Sequence, residues 1–322
     1  MQSYWVQPTA TGVALERRDV PRPEPKEGQL LVAVKATCFN RGELLVGHGT
    51  HAPAAKTAGG ECAGEVAAVG AGVTGLSVGE RVMGRCAGGF AEYATMNARE
   101  VLRIPERLSW EQAAAIPLSY MVVHDMLVTH GHLASGEWLL ITAVSSGVGV
   151  AALQVAKLMG AKVIGTSGSA EKLGRLAKLG LDVGVVTRGT GFYERALAAT
   201  GGKGVNLVVN NVGGTVFAEC IRTLAYEGRL ATVGYLDQTL SAEIDLAALH
   251  AKRLNLFGVS NKLRSPAQRA ETVRGFEKDL LPYFADGRLS PVIDRVFAFA
   301  DVPAAHSYFD SGATLGKVVV RL

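Results

Sequence analysis

The sequence has no CxxC pair of cysteines and no cluster that combines cysteine with histidine. Its four cysteines are scattered along 322 residues, at Cys38, Cys62, Cys86 and Cys220. Structural zinc sites need closely spaced thiolate or imidazole ligands, and disulfide frameworks need a denser set of cysteines. We therefore expect ordinary reduced thiols, without a structural metal or a disulfide framework.

Long apolar runs and runs of one charge are also missing. No stretch approaches the ~18 apolar residues of a membrane span, and the N-terminal segment lacks the pattern of a signal peptide. The 33 Lys and Arg residues are dispersed and leave a net charge of only +4. Such dispersion offers no tract for nucleic acid. These features predict a cytoplasmic protein with neither a membrane nor a nucleic-acid partner.

The composition that is present suits two folded domains. Hydrophobic residues make up 48% of the chain and charged residues 19%, which supports sizeable cores. Up to about Ser109, short β-like runs alternate with glycine and proline, as in a small β-rich domain. Beyond it, apolar strands alternate with helices and predict a parallel sheet covered on both faces. We place the domains at 1–121 and 122–262, with 263–322 completing the first.

Three local patterns give element-level predictions. Ser109, followed three positions later by Gln112, predicts a capping box at the start of a helix. The polar and apolar pattern over Gln268–Phe284 predicts one long helix, and Leu254–Ser260 reads as a strand at the edge of the parallel sheet.

An apolar strand over Trp138–Thr142 leads into a turn and then a helix that extends to Met159. The turn contains Gly147-Val148-Gly149, and glycine there lets backbone N–H groups approach a pyrophosphate above the helix N-terminus. The pattern predicts a dinucleotide site. Its predicted phosphate-binding residues are Ser146, Gly147, Val148 and Gly149.

The end of the next strand indicates which dinucleotide binds. NAD sites usually place Asp or Glu at that point, whereas this chain has a Gly-Thr-Ser-Gly-Ser segment. Ser167 and Ser169 can donate hydrogen bonds, while Lys172 and Arg188 supply positive charge. A 2′-phosphate is favoured by this set, so we predict NADPH rather than NADH. The alternative for Lys172 and Arg188 is simple solvation at the surface.

Several segments together resemble the medium-chain dehydrogenase/reductase family. Gly59–Val66 with Val78–Val82 is similar to its G-x-E-x-x-G-x-V … G-D-R-V signature, and Ala143–Gly149 with Asn211–Gly213 is similar to its cofactor domain. The chain looks most like the quinone oxidoreductase branch, whose members are zinc-free and use NADPH. The resemblance implies an α/β fold in which a GroES-like β-rich catalytic domain joins a Rossmann doubly wound parallel sheet, with the active site in the cleft between them.

The resemblance also bears on metal binding. Zinc alcohol dehydrogenases have Cys at the position of Asn40 and His at the position of Gly60. A catalytic zinc needs three protein ligands, and Glu43 and Glu61 cannot hold the metal by themselves. We therefore expect no metal.

Without a Lewis acid, the expected reaction is hydride delivery to an electron-poor acceptor, which needs only a hydrogen bond and a proton source. The resemblance implies that Asn40 lies near the nicotinamide. It also places His51 where enoyl-thioester reductases often have Tyr, so His51 is the candidate proton donor. The alternatives are a surface-loop histidine and an asparagine that caps its own turn. The residues expected to line the nicotinamide half of the cofactor are Asn211, Val212, Gly234 and Tyr235.

The combined prediction is an NADPH-dependent reductase of small quinones or enones. The resemblance further implies a homodimer paired through the Leu254–Ser260 edge, since an exposed apolar edge would invite aggregation. One alternative is an enoyl-thioester reductase, which needs a basic patch for the phosphates of its carrier. The candidates for that patch are Arg253, Lys262, Arg264 and Arg269. The other alternative is a non-catalytic NADPH-binding redox sensor or single-stranded RNA binder, although no basic stretch with interleaved aromatics supports RNA binding.

Overall fold

The computed structural model describes residues 1–10, 12–44 and 54–322. The chain divides into two compact units, one formed by Met1–Met121 with Arg264–Leu322 and the other by Val122–Leu263. The first unit is rich in β-structure and the second alternates strands and helices. The predicted fold class, a GroES-like β-rich domain with a Rossmann-type α/β domain, is confirmed.

The first unit is built on two sheets. Its strands are β1 (Gln2–Thr9), β2 (Gly12–Asp19), β3 (Gln29–Cys38), β4 (Lys56–Thr57), β5 (Glu61–Val69), β6 (Arg81–Arg85), β7 (Tyr93–Asn97), β8 (Val101–Arg103), β15 (Ile293–Ala298) and β16 (Lys317–Arg321). The smaller sheet has the order β2-β1-β4. The larger has the order β15-β16-β3-β5-β6-β8, with β7 also paired to β3.

Strand β3 is central in the larger sheet because most of its side chains are apolar and buried. On one side β16 pairs with it in antiparallel register, with Val319 opposite Cys38. On the other side β5 pairs with it, with Thr37 opposite Cys62. These pairings place the last residues of β3 beside the first residues of β5 and β16, at one end of the strands. The three segments are far apart in sequence.

The helices of the first unit are α1 (Trp110–Ala114), α2 (Pro117–His124, which crosses the division between the units), α8 (Pro266–Asp279), α9 (Leu281–Ala285) and α10 (Val302–Asp310). The capping box is confirmed, because the Ser109 Oγ accepts from the Gln112 N–H and the Gln112 side chain accepts from the Ser109 N–H. The single helix predicted over Gln268–Phe284 is wrong. The chain forms two helices separated at Leu280, since Pro282 cannot donate a helical hydrogen bond.

The second unit is a six-stranded sheet with helices between its strands. Its strands are β9 (Trp138–Ile141), β10 (Lys162–Ser167), β11 (Val183–Val186), β12 (Val205–Asn210), β13 (Leu224–Thr232) and β14 (Asn255–Gly258). Its helices are α3 (Gly147–Leu158), α4 (Ala170–Ala177), α5 (Tyr193–Ala199), α6 (Phe217–Thr223) and α7 (Leu246–Ala251). All neighbouring strands run parallel. Leu140, Ile164, Val208 and Leu230 are fully buried in its core.

The strand order of this sheet is β11-β10-β9-β12-β13-β14. The chain therefore starts in the middle, builds outward through β10 and β11, and then returns to the other side of β9. In sheets of this kind a crevice opens between the two central strands, at their carboxyl ends, and ligands bind there. The edge strand predicted over Leu254–Ser260 is confirmed as β14, which is shorter and spans Asn255–Gly258. Among the described residues, no helix has the length and apolarity to cross a lipid bilayer.

Candidate active site

The carboxyl ends of β9 and β12 are tied together by a buried polar network. Thr142 Oγ1 donates to Asn210 Oδ1 at 3.2 Å and accepts from the Asn211 N–H at 2.9 Å. The Asn211 side chain in turn donates to the Thr142 carbonyl at 2.8 Å. Buried polar groups satisfied in this way hold a single arrangement. The carboxyl ends of these two central strands are therefore rigid.

The turn from β9 into α3 is also tightly constrained. Ala143 adopts a left-handed φ of 50°, which costs an alanine ~1 kcal/mol. Its N–H donates to Thr166 Oγ1 at 3.1 Å, and its carbonyl accepts from the Ser146 N–H at 3.0 Å. A Cβ on Gly149 would lie 2.6 Å from the Ala143 carbonyl oxygen. Glycine is therefore required at this position for the helix to approach the strand.

The N-terminus of α3 has the features of a phosphate cradle. Ser146 is the N-cap, and its Oγ accepts from the Gly149 N–H at 3.1 Å. The N–H groups of Gly147 and Val148, in the first helical turn, have no acceptor within the helix. They are directed outward from the N-terminal end of a 12-residue helix, where the helix dipole favours an anion. These residues fit a dinucleotide pyrophosphate.

The tip of β10 gathers part of the predicted 2′-phosphate set. Ser167 is buried with its Oγ 3.2 Å from Ser145 Oγ. Arg188 lies directly against Gly168, since a Cβ on that glycine would meet Arg188 Cγ at 2.5 Å and Nε at 2.7 Å. An exposed guanidinium therefore lies beside the glycine that follows this strand. Any side chain at Gly168 would displace it.

The other two members of that set lie at the start of α4. Ser169 is the N-cap of this helix, and its Oγ accepts from the Lys172 N–H at 3.3 Å. The Ser169 hydroxyl therefore has a structural task that the sequence did not reveal. Lys172 is partly exposed in the turn that follows.

The predicted nicotinamide-side residues follow β12 and β13. Asn211 is buried, and its side chain serves the network with Thr142. Gly234 comes directly after the segment in which the Val233 N–H donates to the Asn210 carbonyl at 3.0 Å. Val212 is buried in the hydrophobic core of the unit, whereas Tyr235 is half-buried. The Asn211 amide is therefore occupied within the protein, and the groups left for a cofactor here are the backbone and Tyr235.

Asp237, which the sequence analysis did not single out, holds this loop in place. Its carboxylate accepts from the Thr215 N–H at 2.8 Å and from the Thr239 N–H at 2.9 Å. Burial raises the pKa of Asp237, but the hydrogen bond from the Thr215 hydroxyl and those from the two backbone N–H groups outweigh it, so the net pKa is lowered. The loop is therefore fastened by a carboxylate at neutral pH.

The first unit contains a different kind of site, an ionic cluster of Asn40, Glu43, Glu61 and Lys317. Lys317 Nζ lies 3.0 Å from Glu61 Oε1 and 2.7 Å from Asn40 Oδ1. Asn40 Nδ2 donates to Glu61 Oε1 at 2.7 Å and to Glu43 Oε1 at 2.9 Å. Both hydrogens of the Asn40 amide are thus committed to carboxylates, while its oxygen faces the ammonium.

Glu61 is the fully buried centre of this ionic cluster. Besides Asn40 and Lys317, its Oε1 accepts from the Cys38 thiol at 2.9 Å. Its Oε2 accepts from the Leu118 N–H at 2.7 Å. Four donors therefore take up the hydrogen-bonding capacity of one carboxylate, and Glu61 has a structural role.

Electrostatics separate the members of the cluster. Burial would lower the pKa of Lys317, but interactions with Cys38 and Glu61 outweigh it and raise the pKa, so the ammonium stays charged. Burial, followed by the charge of Glu61, raises the pKa of the Cys38 thiol. Burial and the charge of Glu61 also raise the pKa of Glu43 to about 7. Glu43 is the member that changes protonation state near neutral pH.

By the resemblance, two positions correspond to zinc ligands of alcohol dehydrogenases: Asn40, which belongs to the ionic cluster, and Gly60, which lies against Glu43. A Cβ on Gly60 would lie 2.8 Å from Glu43 Oε1, so the Glu43 carboxylate occupies the space that a side chain at Gly60 would need. Among the described residues, no group of three or more His, Cys, Asp and Glu side chains is arranged to hold a metal ion. The predicted proton donor His51 lies outside the described residues.

Lys317 is the member that sequence reasoning missed entirely. It opens the apolar strand Lys-Val-Val-Val and is only 4% exposed. A lysine in such a strand is rarely buried without a charged partner, and this was the available signal. The partner could not be identified, because Glu61 lies 256 residues away along the chain.

The strand order and the glycine turn define a dinucleotide-binding Rossmann fold, and comparison with known proteins gives the family. The zinc-binding dehydrogenase model matches residues 147–273, and the alcohol dehydrogenase GroES-like domain model matches residues 26–106. The chain belongs to the medium-chain dehydrogenase/reductase family, and its relatives fit the quinone oxidoreductase branch. The resemblance seen in the sequence is confirmed.

Two kinds of relatives are informative. Over its whole length the chain superposes on mycobacterial Rv1454c complexed with NADPH (TM-score 0.88, 27% identity) and on Escherichia coli quinone oxidoreductase complexed with NADPH (0.87, 25%), covering all of both chains. It also superposes on the CurK enoyl reductase (0.85, 26%), covering all of this chain and 99% of that one.

Among curated sequences, a phenolphthiocerol/phthiocerol polyketide synthase of Mycobacterium tuberculosis is 33% identical over 96% of this chain. Polyketide synthase GfsB of Streptomyces halstedii is 33% identical over 92% of it. The chain spans only 14% and 5% of the lengths of these two relatives. It therefore corresponds to one segment of much larger proteins.

Proposed function

We propose that the protein reduces quinones or α,β-unsaturated carbonyl compounds with NADPH and without zinc. The ionic cluster carries this proposal. At the position where zinc relatives place a cysteine ligand, Asn40 is hydrogen-bonded to the Lys317 ammonium at 2.7 Å. A site with its own buried cation has no need of a metal to balance its carboxylates. Without a Lewis acid, acceptors that are already electron-poor are the suitable substrates.

The second unit provides the cofactor site. Ser146, Gly147 and Val148 would hold the pyrophosphate at the α3 N-terminus, and Ser167 with Arg188 would contact the 2′-phosphate. Two structural relatives hold NADPH, which agrees with the preference predicted from the sequence. When bound, NADPH supplies the hydride. The chain's own residues bind, orient and protonate.

The test is a panel of acceptors mixed with the protein while the absorbance of NADPH is followed. We expect turnover with simple quinones or enones, preference for NADPH over NADH, and no loss of rate after treatment with a chelator. NADPH binding without turnover of any acceptor would contradict the proposal and support the redox-sensor alternative. A rate restored only by added zinc would contradict its metal-free part.

Enoyl-thioester reduction is the second candidate, because the curated relatives are polyketide synthases and one structural relative is an enoyl reductase. The basic patch predicted for this function is partly neutralised. Arg269 lies 3.0 Å from both carboxylate oxygens of Glu100, and Arg253 lies 3.5 Å from Glu227. Lys262 is exposed and remains a candidate phosphate contact.

The two candidates differ in how the carrier contributes. If the thioester is the substrate, kcat/KM for an enoyl thioester on a phosphate-bearing carrier will exceed that for the same enoyl group on a short, uncharged thiol. Lys262→Ala will then reduce this difference and leave the reduction of a simple enone unchanged. Equal kcat/KM values for both thioesters would favour the small-molecule reductase. A homodimer formed through β14 remains a prediction from the resemblance.

A further inference from the structure

The ionic cluster contains one group whose role is not explained by holding the fold together. Glu61 is saturated by four donors, and Lys317 and Asn40 are both committed to it. Glu43 differs, because it accepts from the Asn40 amide and from the Gly60 backbone and keeps partial contact with solvent. Glu43 thus borders the buried ion pair, and as a residue it is half-buried where Glu61 is fully buried.

Charge balance in the ionic cluster favours a proton on Glu43. The cluster has one ammonium, on Lys317, and two carboxyl groups, on Glu43 and Glu61. With both carboxyl groups ionised it would carry a net negative charge, and an uncompensated charge in a buried setting is costly. One proton makes it neutral. That proton belongs on Glu43, since the oxygens of Glu61 are occupied by donors.

We propose that Glu43 is the catalytic acid that supplies the proton of the reduction, and that Lys317, Glu61 and Asn40 are the positioning residues that hold it protonated and oriented. The inference rests on the proposed function. Hydride adds to the β-carbon of the unsaturated carbonyl compound, and the C=C electron pair moves toward the carbonyl oxygen as an enolate. The Glu43 O–H bond then breaks, a C–H bond forms at the α-carbon, and the resulting carboxylate regains a proton from water.

The surroundings of Glu43 set the pH range of this step. Among the described residues, the titratable groups near it are Glu61 on β5, Lys317 on β16, and the thiols of Cys38 and Cys86, whose own pKa values are raised by their surroundings. With the pKa of Glu43 at about 7, the acid form is present below neutral pH. It is lost as the pH rises through 7, and we expect the rate of enone reduction to fall with it.

The first test compares the pH profiles of kcat for wild type and Glu43→Gln with an enone as acceptor. Glutamine keeps an oxygen that accepts from Asn40 but cannot donate an acidic proton. We expect kcat to fall by about 10²-fold or more at acidic pH, with loss of the decline near pH 7. Glu43→Asp should recover part of the rate. Glu65→Gln is the matched control, because Glu65 lies on the same strand as Glu61 but pairs with Lys35 at the surface.

The second test needs no turnover. The infrared band of a protonated carboxyl group, measured as wild type minus Glu43→Gln in the protein without NADPH, should disappear as the pH rises through about 7. No such band, or a Glu43→Gln enzyme that keeps both its rate and its pH dependence, would overturn the inference. If wild type reduces no acceptor while the band titrates as expected, the proposed function fails instead. The two failures are therefore distinguishable.

Discussion

The phosphate edge of the second unit (residues 142–149, 166–168 and 210–211) and the ionic cluster of the first unit are built by opposite means. At the phosphate edge, backbone N–H groups and neutral hydroxyl and amide side chains come from short segments at the ends of adjacent parallel strands. In the ionic cluster, full charges come from β5, β16 and the turn after β3, and are brought together by antiparallel pairing. The phosphate edge suits an anionic cofactor that must enter and leave, whereas the cluster holds its cation permanently.

Substitutions in the two sites should have different effects. Removing one partner from a buried ion pair leaves an uncompensated charge, which is costly. Removing one contact from a solvent-facing phosphate site weakens ligand binding but leaves the fold intact. Substitutions in the ionic cluster should therefore lower stability, whereas loss of a solvent-facing side chain at the phosphate edge should lower affinity.

The largest expected effect comes from Lys317→Met. This change removes the ammonium but nearly keeps the length of the side chain, so that Glu43 and Glu61 lose their cation. We expect the free energy of unfolding to fall by about 3–5 kcal/mol, measured by urea denaturation. The matched control is Lys35→Met, which breaks a half-exposed pair with Glu65 and should cost about 1 kcal/mol or less. Equal losses in the two variants would show that the cluster is no different from a surface ion pair.

The next effect tests the glycine at the start of α3. In Gly149→Ala the added Cβ would lie 2.6 Å from the Ala143 carbonyl and 2.7 Å from Val144 Cα. We expect a loss of about 1–3 kcal/mol in unfolding free energy together with weaker NADPH binding, measured by denaturation and by fluorescence titration. Gly174→Ala, in α4, meets no atom within 4 Å and should be neutral or slightly stabilising. An unchanged NADPH affinity in Gly149→Ala would contradict the close approach of turn and cofactor.

The smallest effect concerns cofactor choice. Arg188→Ala removes the exposed guanidinium beside Gly168 and should weaken NADPH binding by about tenfold, the equivalent of one charge-assisted hydrogen bond. NADH binding should not change, since NADH lacks the 2′-phosphate. Arg195→Ala, an exposed arginine on α5, is the control. If Arg188→Ala weakened both cofactors equally, Arg188 would not contact the 2′-phosphate.

The phosphate edge was predictable from sequence because its determinants are local. A strand, a Gly-x-Gly turn and a helix follow each other within about twenty residues, so the motif and its fold can be read together. The same use of local pattern gave a wrong prediction at Pro282. One continuous helix was predicted there because the surrounding pattern is helical, although proline has no N–H to donate. Nor did the local pattern reveal that Ser169, predicted to contact the 2′-phosphate, also caps α4.

The ionic cluster was not predictable because its partners meet only after the sheet has formed. Asn40, Glu43 and Glu61 were visible in the sequence as positions that differ from zinc relatives or remain as carboxylates, but nothing near them in the chain points to Lys317. The pairing of β16 with β3 brings that lysine to them. Because Lys317 lies on the last strand, the sequence around Asn40, Glu43 and Glu61 does not indicate that a cation will contact them.

The most direct test of a metal-free reductase is turnover by protein whose metal content has been removed and measured. The protein is treated with a chelator, bound zinc is quantified for each chain, and the rate of NADPH oxidation with an enone or quinone is compared with that of the untreated protein. We predict an unchanged rate in protein free of zinc. A rate that disappears with the metal and returns with stoichiometric zinc would contradict the role assigned to the Lys317 cation and the mechanism built on it.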